Sequence, residues 1–351
     1  MKCRNTIAGV SLFAAFLLGA MDTRAQDIHF TQFNASPLTL NPAFTGAFQG
    51  EYRASAIYRD QWRSALGDAA FKTYAASIDA PLIRDIGVDD YLAGGIQLYN
   101  DRAGDGNLNN FSILGSVAYH KFFGNDGNKS LSVGLQGGYS NKNLDLSKLY
   151  FSGDYTDGGW NQGMDGAWDN LNNNVDSWIV NVGLAWSHKV SDRFAYTIGG
   201  GMNNLTQPFE SFQKRQATSE VGLAIRSTGQ LGAVIGATDR FSIRPAVLVQ
   251  SQASAFELIG GSEFHYRLGD DFDIPTSPAI FAGAWYRMDD AMMATVGVEY
   301  KGFRIGVGYD YTTSNFKASN NNNGGFEIML RYIAPSPIDF ARRVLYPCNR
   351  F

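Results

Sequence analysis

WIVNVGLAW, residues 178–186, alternates with period two. Side chains point to opposite faces of a strand in turn, so Trp178, Val180, Val182, Leu184 and Trp186 share one face. That face has an aromatic ring at each end and an aliphatic centre. A strand crossing lipid needs this order, with rings at the two interfaces and aliphatic groups against acyl chains.

The same alternation recurs on both sides. In 130–140, Leu131, Val133, Leu135 and Tyr139 oppose Ser132, Gly134, Gln136, Gly138 and Ser140. In 303–310, Phe303, Ile305, Val307 and Tyr309 oppose Arg304, Gly306, Gly308 and Asp310. About fourteen such segments are expected, near 52–59, 70–80, 91–101, 108–121, 130–143, 177–190, 193–206, 217–231, 239–250, 254–267, 278–288, 291–300, 302–313 and 324–334. Most reach the roughly 9 to 11 residues of a tilted membrane strand. The expected fold is all-β: a transmembrane antiparallel β-barrel of about 14 strands over 52–334. A soluble sandwich or jelly roll also alternates. Its outer face is usually rich in Lys and Glu, whereas only 18% of this chain is charged.

Connection lengths agree with a barrel. If the first strand runs outward, odd-to-even connections lie outside, including the long 144–176 and 313–323. Even-to-odd ones, such as 190–194, 238–241 and 300–303, are tight periplasmic turns. The repeated Asp-Arg-Phe turn implies an Asp that caps its own backbone.

Residues 1–25 carry the marks of a signal peptide: Lys2 and Arg4, an apolar run over 7–20, then Thr23-Arg24-Ala25. Cys3 would leave with it. Only Cys348 then remains, which excludes an internal disulfide and a cysteine metal cluster. No later apolar run approaches the roughly 20 residues of a membrane helix. With 39 Gly, 24 Phe and 17 Tyr the chain suits aromatic-rich strands, and a net charge of -4 without a basic block speaks against nucleic acid.

Catalytic, cofactor and metal residues are not assigned, and an enzyme is not expected. The four His, at 29, 120, 188 and 265, lack ligand spacing, and no nucleophile or phosphate-loop motif occurs. Gly199-Gly200-Gly201 and Gly260-Gly261 fall within strands and point to close packing. By parity Glu257, Glu263, His265, Glu299, Arg304, Asp310, Glu327 and Arg331 face the lumen. Interleaved acids and bases favour a bracing ion-pair network over a conduction path.

Two segments break the alternation. The loop 144–176 carries Tyr150, Phe151, Tyr155, Trp160 and Trp168 besides Leu149, Met164 and Leu171. It either folds over the barrel mouth or offers aromatic anchors to a partner protein. The leader QDIHFTQFNASPLTLNPAFTG, 26–46, holds two prolines yet many apolar groups. An extended leader over 26–51 is expected, burying Phe30, Phe33, Leu38, Leu40 and Phe44, with Asn41 and Pro42, as a plug in the lumen or against the periplasmic rim.

Nearly the whole mature chain resembles the PorP/SprF family of outer-membrane proteins of the Bacteroidetes type IX secretion system. The likeness rests on Gln26-Asp27, Phe30, Gln32-Phe33, Pro37-Leu38, Asn41-Pro42-Ala43 and Gly46 in the leader, then on Tyr58-Arg59-Asp60-Gln61-Trp62. Further matches are Tyr266-Arg267-Leu268, Trp285-Tyr286-Arg287 with Asp290-Ala291, Gly308-Tyr309-Asp310-Tyr311 and Glu327, and the ending Pro347-Cys348-Asn349-Arg350-Phe351. Phe326 and Asn349 depart from the family's usual His and Pro. The resemblance implies a non-enzymatic barrel in outer-membrane lipid, tied to secretion and gliding. Its partner would be a secreted adhesin C-terminal domain, anchored at the cell surface, or periplasmic subunits of the motor ring reached through the leader and a periplasmic tail, 335–351. A passive channel or hydrophobic-compound transporter is a further alternative.

Overall fold

The computed structural model describes residues 30–335 apart from 88, 125–126, 166–167, 215–221 and 269–277. The expected signal peptide 1–25, the leader residues 26–29 with His29, and the expected periplasmic tail from 336 to 351 with Cys348 lie outside the described residues.

The strands are β1 (Arg53–Gln61), β2 (Phe71–Arg84), β3 (Tyr91–Ala103), β4 (Leu108–Phe123), β5 (Lys129–Asn143), β6 (Tyr155–Thr156), β7 (Gly159–Trp160), β8 (Asn174–Ser191), β9 (Phe194–Asn203), β10 (Arg226–Gly236), β11 (Phe241–Gln252), β12 (Ala255–Arg267), β13 (Ala279–Arg287), β14 (Ala291–Tyr300), β15 (Phe303–Thr312) and β16 (Asn323–Ile333). Strands β6 and β7 form a small separate hairpin, and the other fourteen close into one antiparallel barrel. Closure is made by β1 and β16, paired from Arg53↔Ile333 to Gln61↔Gly325. Every strand of the barrel has a neighbour on both sides, the condition for crossing a membrane with strands.

The outer surface follows from the alternation. Trp178 (71% exposed) and Leu184 face out, whereas Ile179, Asn181 and Ala185 on the same strand are buried inside. Exposed aliphatic groups such as Ile280, Val296, Ile305 and Ile328 form a band. Rings flank it, with Tyr266, Tyr300 and Phe303 at one end and Tyr74, Tyr286 and Tyr311 at the other. Ring contacts such as Tyr58–Tyr74 at 4.9 Å and Phe303–Tyr332 at 4.4 Å tie neighbouring strands together within these girdles.

One end carries the long connections 144–173, 204–225 and 313–322, although 253–254 and 288–290 there are tight. The other end has short turns except at 268–278.

Three local expectations need correction. Of the eighth barrel strand, expected over 217–231, residues 217–221 lie outside the described residues, and 222–225 are not in the ladder, which begins at Arg226. Asn204 adopts a left-handed backbone (φ 61°) that ends β9, so Leu223 has no ladder partner and donates its N–H to Pro208 O. In the Asp-Arg-Phe turns the capping acceptor is not the Asp. Thr238 Oγ1 accepts from Phe241 N (2.9 Å), while Asp239 pairs with Arg193 (2.8 Å) in the neighbouring turn and Asp192 with Lys189 (2.7 Å). The leader is not extended: it makes three short helical turns, Phe33–Ala35, Pro37–Leu40 and Pro42–Phe44. Pro37 and Pro42 each take the first helical position, where the missing N–H has no partner to lose and φ is already set.

Candidate functional site

Residues 30–49 run around the inside of the barrel wall. Phe30 packs with Ile57 of β1 and Met329 of β16. Phe33 meets Trp285 of β13 edge-on at 5.2 Å and lies in one cluster with Leu40, Leu248 and Ile259. Phe44 sits with Ala47 and Ala185. Fully burying such side chains stabilises by about 1.5–3 kcal/mol each, so the segment is held mainly through its apolar face.

Polar contacts fix its path. Asn41 Nδ2 donates to Leu184 O (3.0 Å), Gly200 O (3.1 Å) and Gln230 Oε1 (3.2 Å), and Asn41 Oδ1 accepts from Ala43 N (2.9 Å). One side chain thus ties the leader to β8, β9 and β10 while capping its last turn. The glycine-rich faces of these strands make the room. A Cβ on Gly183 would stand 1.8 Å from Asn41 Oδ1, and one on Gly134 would stand 2.2 Å from Pro42 C. Further along, His120 Nε2 donates to Thr45 O (2.7 Å), and its Nδ1 accepts from Ser132 Oγ (2.7 Å). Asp79 accepts from Gly46 N (2.7 Å) and pairs with Arg53 (2.7 Å), which also donates to Phe44 O (2.9 Å).

Either Asn41→Ala or Gly183→Ala is expected to loosen the middle of the leader. The first leaves Gln230 short of a partner at a cost of about 1–3 kcal/mol, and the second drives Asn41 from its seat. Limited proteolysis of the folded protein between 30 and 49 is the check, with faster cleavage expected in both variants.

The lumenal charges fall into two groups. Near the long-loop end, Arg59 pairs with Asp310 (2.7 Å) and Glu327 (3.4 Å), and Arg287 with Asp310 (3.2 Å), Asp290 (2.8 Å) and Glu257 (3.6 Å). Glu327 also accepts the leader's Thr31 N (2.9 Å) and Gln32 N (2.7 Å), and Thr31 Oγ1 bonds both Asp310 and Arg59. Nearer the short-turn end, Arg304 pairs with Glu263 and Glu299 (both 2.8 Å) and lies over the Phe281 ring at 3.9 Å, while His265 bonds Glu263 (3.0 Å). Glu257, Glu263, Glu299, Arg304, Asp310 and Glu327 are therefore brought together in these groups. Arg331 is not: it makes no ion pair among the described residues.

Arg53, Arg59, Asp79 and Arg287 belong to the site and were missed in the sequence. The parity that placed Arg304 inside would have placed Arg59, since Tyr58 beside it has the aromatic character of the outer face.

The loop 144–173 is built on Asp154. Its carboxylate accepts from Phe151 N (2.8 Å), Met164 N (2.9 Å), Asp165 N (3.0 Å) and Trp168 Nε1 (3.0 Å). Phe151 and Trp168 pack edge-on at 5.0 Å and are spent on the loop's own interior. Tyr150 and Tyr155 each meet Trp160 edge-on, at 5.7 and 5.2 Å, and these three rings remain 56–63% exposed. Burial alone would raise the Asp154 pKa. The N–H donors of Phe151 and Asp165, the Trp168 indole and Met164 N outweigh it, and the pKa is lowered. A lowered folded pKa contributes stability above the ordinary carboxylate range and loses it as pH falls through the folded value. The loop is therefore expected to stay ordered at mildly acidic pH and to open only in stronger acid, whereas Asp154→Asn opens it at neutral pH. Hydrogen exchange at the amides of Phe151, Met164 and Asp165 checks both.

No curated protein sequence matches the chain significantly. Among solved structures, the Pseudomonas putida toluene transporter TodX is 10% identical, with 89% of this chain and 94% of that one covered and a TM-score of 0.45. The Ralstonia pickettii toluene transporter TbuX is 10% identical, covering 85% and 92%, also at 0.45. Neither likeness bears on what this barrel carries. The sequence pattern described as type IX secretion system membrane protein PorP/SprF matches residues 22–332. With its closed antiparallel strands and girdled apolar band, this is an outer-membrane barrel. The chain belongs to the PorP/SprF family of type IX secretion system membrane proteins.

Proposed function

We propose that this barrel is a plugged, non-enzymatic scaffold that anchors a secreted surface protein, such as an adhesin C-terminal domain, on its outward-facing long-loop end. The observation that carries it is the outer loop: Tyr150, Tyr155 and Trp160 stand exposed on a frame that Asp154 holds in place. Exposed, pre-ordered aromatic groups are the usual anchors of protein interfaces. The lumen supports a scaffold over a conduit, because residues 30–49 occupy it and the buried His120 and His265 serve its internal contacts. As a member of its family the barrel works with components of the secretion machinery.

The test is a pull-down from detergent-solubilised outer membranes, comparing the natural chain with a Tyr150→Ala, Tyr155→Ala, Trp160→Ala variant. The natural chain is expected to recover a secreted surface protein and the variant to lose it. Recovery of neither a surface protein nor a secretion-system subunit overturns the proposal. Recovery of periplasmic subunits alone, undiminished in the variant, assigns the barrel to the motor-linked core machine instead.

A further inference from the structure

We propose that the outer wall from β16 to β3 holds one phosphorylated lipid of the outer leaflet, with its acyl chains in an apolar groove and its phosphate on Lys72 and Arg102. Leu330, Ala56, Ala76 and Leu98 stand side by side across these four strands, and all of them face out. The two alanines are the floor and the two leucines the walls of a hollow that Tyr58, Tyr74 and Phe111 border toward the long-loop end. Strands β16 and β3 lie three strand spacings apart, about 14 Å. Between the leucine side chains that width admits acyl chains but not a helix about 10–12 Å across.

Polarity rises in steps toward the long-loop end. On the outer face of β3, Leu98 is followed by Asn100 and then Arg102, and on β2 the same steps are Ala76, Tyr74 and Lys72, each about 6.6 Å long. Asn100 lines the groove beside the Tyr74 and Phe111 rings, and its amide has no hydrogen-bond partner among the described residues. The carbonyls of a lipid's acyl linkages lie at that depth and would accept from it. Directly above, a second and polar hollow is lined by Arg102, Asn107, Asn109, Asn143 and Ser147. An apolar groove, an amide and a polar hollow with cations follow one another in the order of a lipid's own parts.

Lys72 and Arg102 are direct cross-strand partners, and like charges so placed repel. Neither forms an ion pair among the described residues, and Arg102 Nε donates only to the uncharged Asn107 Oδ1 (2.8 Å). The acids nearby do not neutralise them. Asp60, across from Lys72 on its other side, is taken by Arg63 Nε (2.7 Å) and the Tyr58 hydroxyl (3.1 Å). Asp145 pairs with Lys148 (3.7 Å), and Asp68 and Asp105 stand exposed in the neighbouring connections without an ion pair. The cation pair lies just beyond the ring girdle, where lipid headgroups begin. A phosphate bridging the two removes their repulsion and gains charge-assisted hydrogen bonds from both.

The experiment titrates monophosphoryl lipid A into the full chain, purified and delipidated in detergent, and reads bound lipid by native mass spectrometry. One lipid per barrel is expected for the natural chain, with dephosphorylated lipid A binding about tenfold more weakly. Lys72→Gln with Arg102→Gln should weaken the phosphorylated form by about tenfold and leave the dephosphorylated form unchanged. Ala56→Leu with Ala76→Leu fills the groove and should weaken both forms. All four side chains lie outside the lumen, and compact gel mobility checks that each variant folds. Arg240→Gln, at the short-turn end, should leave binding as it is. Loss of binding in Arg240→Gln equal to that in the Lys72 and Arg102 variant, or binding by both paired variants like that of the natural chain, overturns the proposal. So does displacement of the lipid by an equal concentration of sodium phosphate, which marks a simple anion site. A natural chain that is dimeric without lipid, and that Ala56→Leu with Ala76→Leu makes monomeric, gives the groove to a second copy and overturns it as well.

Discussion

Deletion of residues 30–49 is expected to turn a closed barrel into a conducting one. In planar bilayers the natural chain should give no steady current, and the shortened chain discrete steps that a synthetic peptide of sequence 30–49 suppresses. Barrels of about eight strands fill with their own side chains, whereas those of about sixteen leave a water-filled channel. With fourteen strands this wall encloses more space than its inward side chains fill, and the leader takes up the difference. Much of that inward face is glycine, which fills nothing: Gly134, Gly183 and Gly199 sit against Pro42, Asn41 and Phe44. Without the leader those positions become open volume lined by Gln136, Asn181 and Gln230, all of which hydrate readily. Water can then take over the hydrogen bonds the leader gave up, so the wall has no strong reason to collapse. A shortened chain that folds and remains electrically silent would show that side chains alone close the barrel. Current in the natural chain would count against the plug.

The barrel was legible because its cause is local and periodic. One lipid face and one lumenal face impose period two on every strand, and Trp178 to Trp186 displays it within nine residues. The lumenal acids were legible for the same reason. What parity cannot give is which charge meets which. Arg304 and Arg331 look alike in sequence, yet Arg304 forms ion pairs with two carboxylates and Arg331 with none among the described residues, because only the three-dimensional wall sets Glu263 within reach of Arg304. The leader's burial could be anticipated from its apolar content, but its helical turns could not. Their stability comes from contacts across the lumen, such as Asn41 with three strands more than a hundred residues away, and not from local propensity. In the loop 144–173, composition announced the aromatic groups but gave no hint that Asp154 would divide them into an inner pair and an outer trio.

Arg59→Met is expected to be the most damaging single substitution in the wall. Arg59 is 1% exposed and stands between Asp310 and Glu327, which are 2% and 0% exposed. Arg287 still neutralises Asp310 from the other side, so the exposed loss falls on Glu327, whose remaining partners are the amides of Thr31 and Gln32. Removing one member of a buried ion pair typically costs about 3–5 kcal/mol, since the other charge stays behind without compensation. The cost is expected to appear first at the leader, because Arg59 Nη1 also holds Thr31 Oγ1 at 2.7 Å. Protease should therefore reach residues 30–40 of the variant before the barrel unfolds. Adding Glu327→Gln to Arg59→Met takes away the stranded charge and keeps an acceptor for one of the two leader amides, which bond different oxygens of Glu327, so the double variant should recover part of the stability lost in Arg59→Met alone. Urea unfolding of the three chains in detergent measures that coupling directly. If Arg59→Met costs less than about 1 kcal/mol, the pair is worth no more than an exposed one, and the bonds from Thr31 and Gln32 to Glu327, not its charge, hold the leader's end.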